Sequence, residues 1–280
     1  MTALASKAMI VALNVSCWTA RKQDKQVSLE VEQKHGAHDA GRYNKLLIDK
    51  THLDPLTSFA GKIRNEHYRL TLPWLDNGGR LLPSKLFFEY SAVMDKLKLE
   101  YQALVDNFVQ LYGSRLVNEA RQRLGTMYNA TDYPPATMLK TKFGVDIDIM
   151  PVPRGADFRV EVGDAERARI QTEMEERTKK RQQEAMKDTW ERVRSCVDLI
   201  HIRLSASKPI IRESLMENTQ DLIKLLPGLN VTEDPLMASI ADDIATNLVT
   251  PTWDLRNNET TRALVAKEAA RILSRIPTQL

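Results

Sequence analysis

The chain has 280 residues, of which 42% are hydrophobic and 28% charged, with a formal net charge of +3. That is enough apolar content for one large domain or two small ones, and too little net positive charge to announce a nucleic-acid binder. Glycine is scarce and aromatics make up only 6%, which leans towards helices, because sandwiches and barrels need glycine turns and pleat-filling aromatics.

Two cysteines, Cys17 and Cys196, exclude a disulfide framework, so a reducing cytoplasm is the default compartment. No apolar run approaches the length of a bilayer span. Met1 to Leu13 carries only Lys7 ahead of a short apolar stretch and shows no small-residue cleavage site, so no signal peptide is expected. Charge is uneven along the chain. Residues 1–85 hold 13 basic and 8 acidic side chains, and residues 209–280 hold 7 and 10.

Met9 to Trp18 is β-branched and ends on an aromatic, which predicts a strand, with a helix as the competing reading because Ala, Leu and Met are also present. Val27 to Val31 alternates with period two and predicts its hairpin partner. Gly36 to Gly41 reads as a polar loop. Asp54-Pro55 supplies an N-cap and a first-turn proline for a helix running to about Leu70, and Asp76-Asn-Gly-Gly79 is a strong turn.

The strongest pattern follows. Tyr90, Met94, Leu97, Tyr101, Leu104, Phe108 and Leu111 step alternately by four and three, a heptad seam. Met186, Trp190, Val193, Val197, Ile200 and Leu204 repeat it on a helix expected to begin after Gly163-Asp164 and to end before Pro209. These two seams are expected to pair as a long antiparallel, coiled-coil-like hairpin, within one chain or between two. Gln171 to Glu184 has almost no apolar residue and predicts an exposed arm held by Glu173–Arg177 and Glu175–Lys179 pairs.

Residues 125–163 are broken by Tyr133-Pro-Pro135 and Pro151-Val-Pro153 around a short helix near Ala136 to Phe143. Phe158 to Val162 alternates and predicts a second strand against the N-terminal one. The C-terminal third reads as three helices packed as a bundle. The first runs from about Pro209 to Leu226, the second starts at Asp234-Pro235 with Leu236, Ile240, Ile244 and Leu248 on one stripe, and the third starts near Asn258 with Leu264, Ile272 and Leu273. The expected fold is therefore mainly α, with a small β element near the N-terminus. Its organisation is a mixed α/β region over 1–85, a helical hairpin over 86–208 with an irregular insert at 125–163, and three helices over 209–280.

No catalytic signature emerges, and no cofactor, metal or catalytic residue is assigned. His35, His38 and Asp39 lack a second ligand pair at a recognised spacing and read as solvated. Asp146 and Asp148 in Val-Asp-Ile-Asp-Ile could share a strand face, as in metal-dependent nucleases, but no third acid accompanies them and the solvent-face reading is preferred. His201, beside the second seam, reads as a hydrogen-bonded helix histidine. There is no glycine-rich phosphate loop and no nucleophile elbow.

The candidate binding residues are basic. Arg177, Lys179, Lys180 and Arg181 form the densest run, but Glu173, Glu175, Glu176 and Glu184 interrupt it and favour a solvated face. Arg21, Lys22 and Lys25, near Trp18 and Arg42-Tyr43, form the better candidate for binding single strands by charge and stacking.

Asn14 to Lys22, with its Val-Ser-x-Trp-x-x-Arg-Lys core, followed by a first helix and a long heptad helix ending in Phe108 and Tyr112, resembles an uncharacterised bacterial and phage family catalogued as domain of unknown function 3150. The resemblance covers the general layout of most of the chain. It implies a phage or mobile-element gene, encoded near MoxR-like ATPases, von Willebrand A-type proteins and sometimes recombination functions, and it implies no catalytic residue. The leading expectation is thus a non-enzymatic, cytoplasmic interaction protein that oligomerises or docks to a partner such as such an ATPase, with no membrane role. The alternative is a nucleic-acid-binding accessory factor in replication, recombination or transcription, and a metal-dependent nuclease resting on Asp146 and Asp148 is the third.

Overall fold

The computed structural model describes residues 4–158, 160 and 162–277. A single helical turn, α1 (Leu4–Lys7), leads into β1 (Ala8–Ser16), the strand expected from its β-branched run. The next elements are β2 (Arg21–Gln23), α2 (Lys25–His35) and β3 (Asn44–Leu46). Val27 to Val31 is therefore helical, not the expected strand. Asp24 Oδ1 accepts from the Val27 amide at 3.2 Å, and Gly36, at φ 61°, closes the helix in the left-handed conformation. A cap at each end outweighs five residues of alternation.

Helix α3 (Lys50–Leu70) starts a turn before the expected Asp54-Pro55 signal, because Asp49 Oδ1 accepts from both the amide (2.9 Å) and the hydroxyl (2.7 Å) of Thr51. Pro55 then lies inside the helix, at the loss of one backbone hydrogen bond. The Asp76–Gly79 turn joins β4 (Leu72–Pro73) to β5 (Gly79–Pro83). It closes with the Leu75 amide donating to the Gly79 carbonyl at 2.8 Å, and with Gly78 at φ 93°.

Beyond lie α4 (Phe87–Leu111), a π-helical turn (Tyr112–Leu116), α5 (Val117–Leu124), α6 (Ala136–Leu139), β6 (Gly144–Pro151), α7 (Asp164–Ser205), α8 (Glu213–Leu229), α9 (Pro235–Asn247), α10 (Thr252–Asn257) and α11 (Glu259–Arg275). The mainly α class with a small antiparallel sheet near the N-terminus is as the sequence predicts. That sheet has the order β4-β5-β1-β6, with β1 and β5 antiparallel from Ala8↔Pro83 to Ala12↔Gly79. The strands beside β1 are thus β5 and β6, not the expected Phe158–Val162. Phe158, Val160 and Val162 are in no strand, and Arg159 and Glu161 lie outside the described residues.

The chain divides into two compact units that interleave along the sequence. The first gathers the residues up to Ala12, Tyr68–Tyr90 and everything from Asp148 onward. Here α7, 42 residues and about 63 Å long, buries Met186, Trp190, Val193, Val197, Ile200 and Leu204. Its main helical neighbour is α11, where His201 Nδ1 lies 3.0 Å from the Ala266 carbonyl. On its other side α8 runs back along α7, with Cys196 Sγ 3.4 Å from Thr219 Oγ1. The seam of α7 is therefore buried as expected, and within this unit α11 lies along it.

The arm of α7 is exposed with exceptions. Thr178 is buried, and the 3-10 turn Gly155–Asp157 rests on it, so that a Cβ at Gly155 would lie 3.1 Å from the Gln171 carbonyl and 3.2 Å from Glu175 Oε1. The Glu173–Arg177 pair forms at 3.9 Å. Among the C-terminal helices, Asp234 and Asn258 cap α9 and α11 as predicted, while α8 passes through Pro227 instead of stopping there. On α9, Ile240, Ile244 and Leu248 are buried and Leu236 is on the rim; on α11, Ile272 is buried and Leu264 exposed.

The second unit comprises Leu13–His67 and Ser91–Ile147. Phe59 of α3 stacks on Tyr101 of α4, with centroids 6.2 Å apart at 18°. The buried stripe of α4 runs Met94, Leu97, Tyr101, Val105, Phe108, Tyr112, so the expected Leu104 and Leu111 are only half-buried. The steps on either side of Tyr101 are both four, so the stripe from Met94 to Tyr112 has the period of a straight helix and not that of a supercoiled seam. From Phe108 the buried residues are spaced by four, through Leu116 and Ala120 to Leu124. Such steps drift by about 40° each on an α-helix, and the wider π turn takes up part of that drift.

Candidate functional site

In the second unit, β2 and β3 pair antiparallel (Arg21↔Leu46, Lys22↔Lys45, Gln23↔Asn44), with α2 between them in the chain. Lys45 is 6% exposed, and its ammonium makes three contacts: Asp132 Oδ2 at 2.8 Å, Asp24 Oδ2 at 3.2 Å and the Met127 carbonyl at 2.9 Å. All three N–H donors have acceptors, which is what a buried lysine requires. Two further bonds tie the end of this strand and the residue after it to residues 123–133: Arg123 Nη2 donates to the Leu46 carbonyl (2.6 Å) and Tyr133 OH to the Leu47 carbonyl (2.9 Å).

The electrostatics follow. Burial alone would lower the Lys45 pKa, but the hydrogen bonds and charges of Asp132 and Asp24 outweigh it and hold the pKa above its usual value. The Val27 amide, together with Lys45, holds the Asp24 carboxyl below the carboxylate range despite some desolvation. Burial pushes the Tyr133 phenol up to about 12.

A polar cavity of about 480 Å³ opens beside this cluster, between Gln23–Val27 and Thr126–Asn129. Its charged groups are engaged except Lys25, which is exposed and makes no ion pair among the described residues. Lys45 and both aspartates hold one another, Gln26 Nε2 donates to Glu30 at 3.3 Å, and Asn129 caps Thr131 at 3.0 Å. The arrangement fastens a hairpin to a loop.

The predicted basic residues of this unit are on the surface. Arg21, Lys22, Lys25 and Arg42 are all exposed, and none makes an ion pair among the described residues. Trp18 does not join them. It is half-buried, edge-on to Tyr112 (5.9 Å, 81°), whose hydroxyl donates to the Pro134 carbonyl at 2.8 Å. The ring available beside Arg42 is Tyr43, 41% exposed. In the other unit Arg177, Lys179 and Lys180 are exposed and Arg181 half-buried; Lys180 and Arg181 share a face with Arg177, and Lys179 points away from it.

His35, at the last position of α2, His38 and Asp39 are exposed, and so are Asp146 and Asp148 on β6. Among the described residues no group of three or more His, Cys, Asp or Glu side chains could hold a metal ion. Sequence reasoning missed Lys45 and the exposed helix α2. The Asp24–Gly36 cap spacing was a signal for the helix; for the burial of Lys45 there was none, since its carboxylate partners are 21 and 87 residues away.

No helix of the described residues is long and apolar enough to cross a membrane. The chain finds no significant match among protein-family models, curated proteins or solved structures.

Proposed function

We propose that this chain is a non-enzymatic interaction protein that docks to a protein partner or to further copies of itself. The observation carrying this reading is α2. None of its eleven residues is buried, and Leu29 and Val31 are 55% and 51% exposed. A helix this short is marginal by itself and normally relies on burying an apolar face. Polar bonds hold α2, with Ser28 Oγ donating to the Asp24 carbonyl at 2.6 Å and accepting from the Tyr43 amide at 3.0 Å, and with its N-cap Asp24 paired to Lys45 at 3.2 Å. A partner covering Leu29 and Val31 would supply the missing burial. Given the layout resembling the phage and bacterial family of unknown function 3150, a MoxR-like ATPase in the same cytoplasm is the first partner class to examine; the two free cysteines accord with that compartment.

Light scattering across concentrations, together with co-purification of tagged chain from its host, tests the reading. Association is expected, and Leu29→Asp with Val31→Asp should abolish it while helix content stays the same. A strict monomer that retains nothing removes the reading.

A second reading, a nucleic-acid accessory factor, is favoured by one observation: Arg21, Lys22, Lys25 and Arg42 are exposed, unpaired among the described residues and next to Tyr43. Lysine and arginine contacts release counterions from a phosphate backbone and confer steep salt dependence. Gel shifts with single- and double-stranded DNA decide it, and no binding even at low ionic strength removes it.

A further inference from the structure

In the first unit, a groove runs between α7 and the returning α8. Two hollows, of about 260 and 510 Å³, lie end to end along it and share Asn218 in their linings. The α7 wall presents Arg192, Leu199 and Arg203, which share a face at steps of seven and four. The α8 wall presents Leu215, Asn218, Leu222 and Leu225, at steps of three, four and three. Arg192 and Arg203 are eleven positions apart, about 16 Å along the helix, or three turns.

The floor is apolar, with Leu215 and Leu225 at 9% and 4% exposure, but the rim carries exposed apolar side chains, Leu199 at 44% and Ile210 at 68%, and ends at Tyr68, whose ring holds the Arg80 guanidinium at 4.9 Å. Charge is polarised along the groove. At the Tyr68 end the guanidinium of Arg192 is committed, donating to the carbonyls of Tyr68, Arg69 and Thr71 (2.8–3.0 Å) and pairing with Asp188 at 2.8 Å. At the other end Arg203 and Arg212 are exposed and make no ion pair among the described residues. Arg212 also occupies the N-cap of α8 with no side-chain cap bond, so the positive end of the helix dipole adds to theirs. The carboxylate lining the groove, Asp221, is at the far end and pairs with Lys224 at 3.7 Å.

We infer that this groove docks an amphipathic helix of a partner protein, of about three turns, with acidic residues at the end that lies over Arg203 and Arg212. The length matches a helix carrying apolar anchors at i, i+4 and i+7, the mode in which such helices lie in grooves. Charge complementarity fixes the sign and direction of the occupant: two free guanidiniums and a helix N-terminus attract carboxylates and oppose a basic helix. The inference rests on the reading of the chain as an interaction protein, but on a different surface from α2.

The test uses the full chain and two fluorescein-labelled synthetic helices with leucines at i, i+4 and i+7, one with glutamates and one with lysines at the remaining positions, followed by anisotropy. The glutamate helix should bind at least about tenfold more tightly than the lysine helix. Arg203→Glu with Arg212→Glu should reverse that order. Both residues are exposed, so the variant should keep its circular dichroism; Leu199→Ser is the independent variant and should weaken the glutamate helix without reversing the preference. Equal binding of the two helices, no binding, or an unchanged preference in the charge-reversed variant would overturn the inference. So would concentration-dependent self-association lost in that variant, which would make a second copy the occupant. If both peptides fail while association through Leu29 and Val31 persists, only the groove assignment falls.

Discussion

The ammonium of Lys45 lies 2.8 Å from the carboxylate of Asp132, joining strand β3 to the turn that follows α5 across 87 residues of chain. With Lys45 6% exposed and Asp24 as its second carboxylate, this contact holds in place the whole β2–α2–β3 hairpin that carries the exposed arginines and α2. Lys45→Met removes the only cation of the cluster and leaves two carboxylates facing each other, which should cost about 2–4 kcal/mol. Denaturant unfolding measures it. Loss of the α2 signal ahead of the remaining helices would locate the damage in this hairpin.

The same cluster sets a pH response. Lys45 is held above its ordinary 10.5, so its contribution is complete below that pH and is lost as the pH rises through the elevated value. Asp24 is held below its ordinary 3.8, so its contribution is complete above 3.8 and is lost as the pH falls through the lowered value. Stability of the hairpin should therefore be level between these limits and should fall only outside them. Amide exchange of residues 21–46 across pH, corrected for intrinsic rates, reads it out.

Gly228, behind Pro227 in α8, touches Leu86, where an added Cβ would sit 2.6 Å from the leucine side chain. Leu86 is 5% exposed. Gly228→Ala should destabilise by about 1–3 kcal/mol through overpacking. Leu86→Ala in the same chain should recover part of that loss, and a double-mutant cycle by chemical denaturation gives the coupling.

The two halves of α7 should respond oppositely to substitution. Ile200 is fully buried, and Ile200→Ala should cost about 2–5 kcal/mol. Replacing the exposed Lys179 and Lys180 by glutamine should change stability by less than about 0.5 kcal/mol. If these lysines touched a partner or nucleic acid, association would fall without any change in unfolding.

Trp18 and Tyr43 should separate structure from binding. Trp18→Ala deletes the edge contact to Tyr112 and should lower the unfolding midpoint. Tyr43→Ala, at a 41% exposed ring, should leave the midpoint unchanged and, on the nucleic-acid reading, weaken single-strand binding together with Arg42→Ala. The reverse result would return Trp18 to the binding surface.

Local physical chemistry written in contiguous residues was legible in the sequence. The α7 helix and its buried seam, the caps at Asp234 and Asn258, the turn at Asp76–Gly79 and the strand at Met9 onward each depend on residues within a few positions of one another. The basic candidates at Arg21, Lys22, Lys25 and Arg42 were legible as charges. Their freedom from ion pairs was not, and neither was the withdrawal of Trp18 onto Tyr112, because both depend on residues far away in the chain.

The sequence by itself determined the long helices and the buried seam of α7, because periodicity and caps act within a turn or two. Only the tertiary structure decided what each face meets: α11 along the seam of α7, a buried lysine between carboxylates 21 and 87 residues distant, and α2 left with no buried side chain. A heptad specifies that a seam must be covered, but the apolar surface that covers it is chosen by the packing of the whole unit, since burial is non-directional and any complementary apolar face satisfies it.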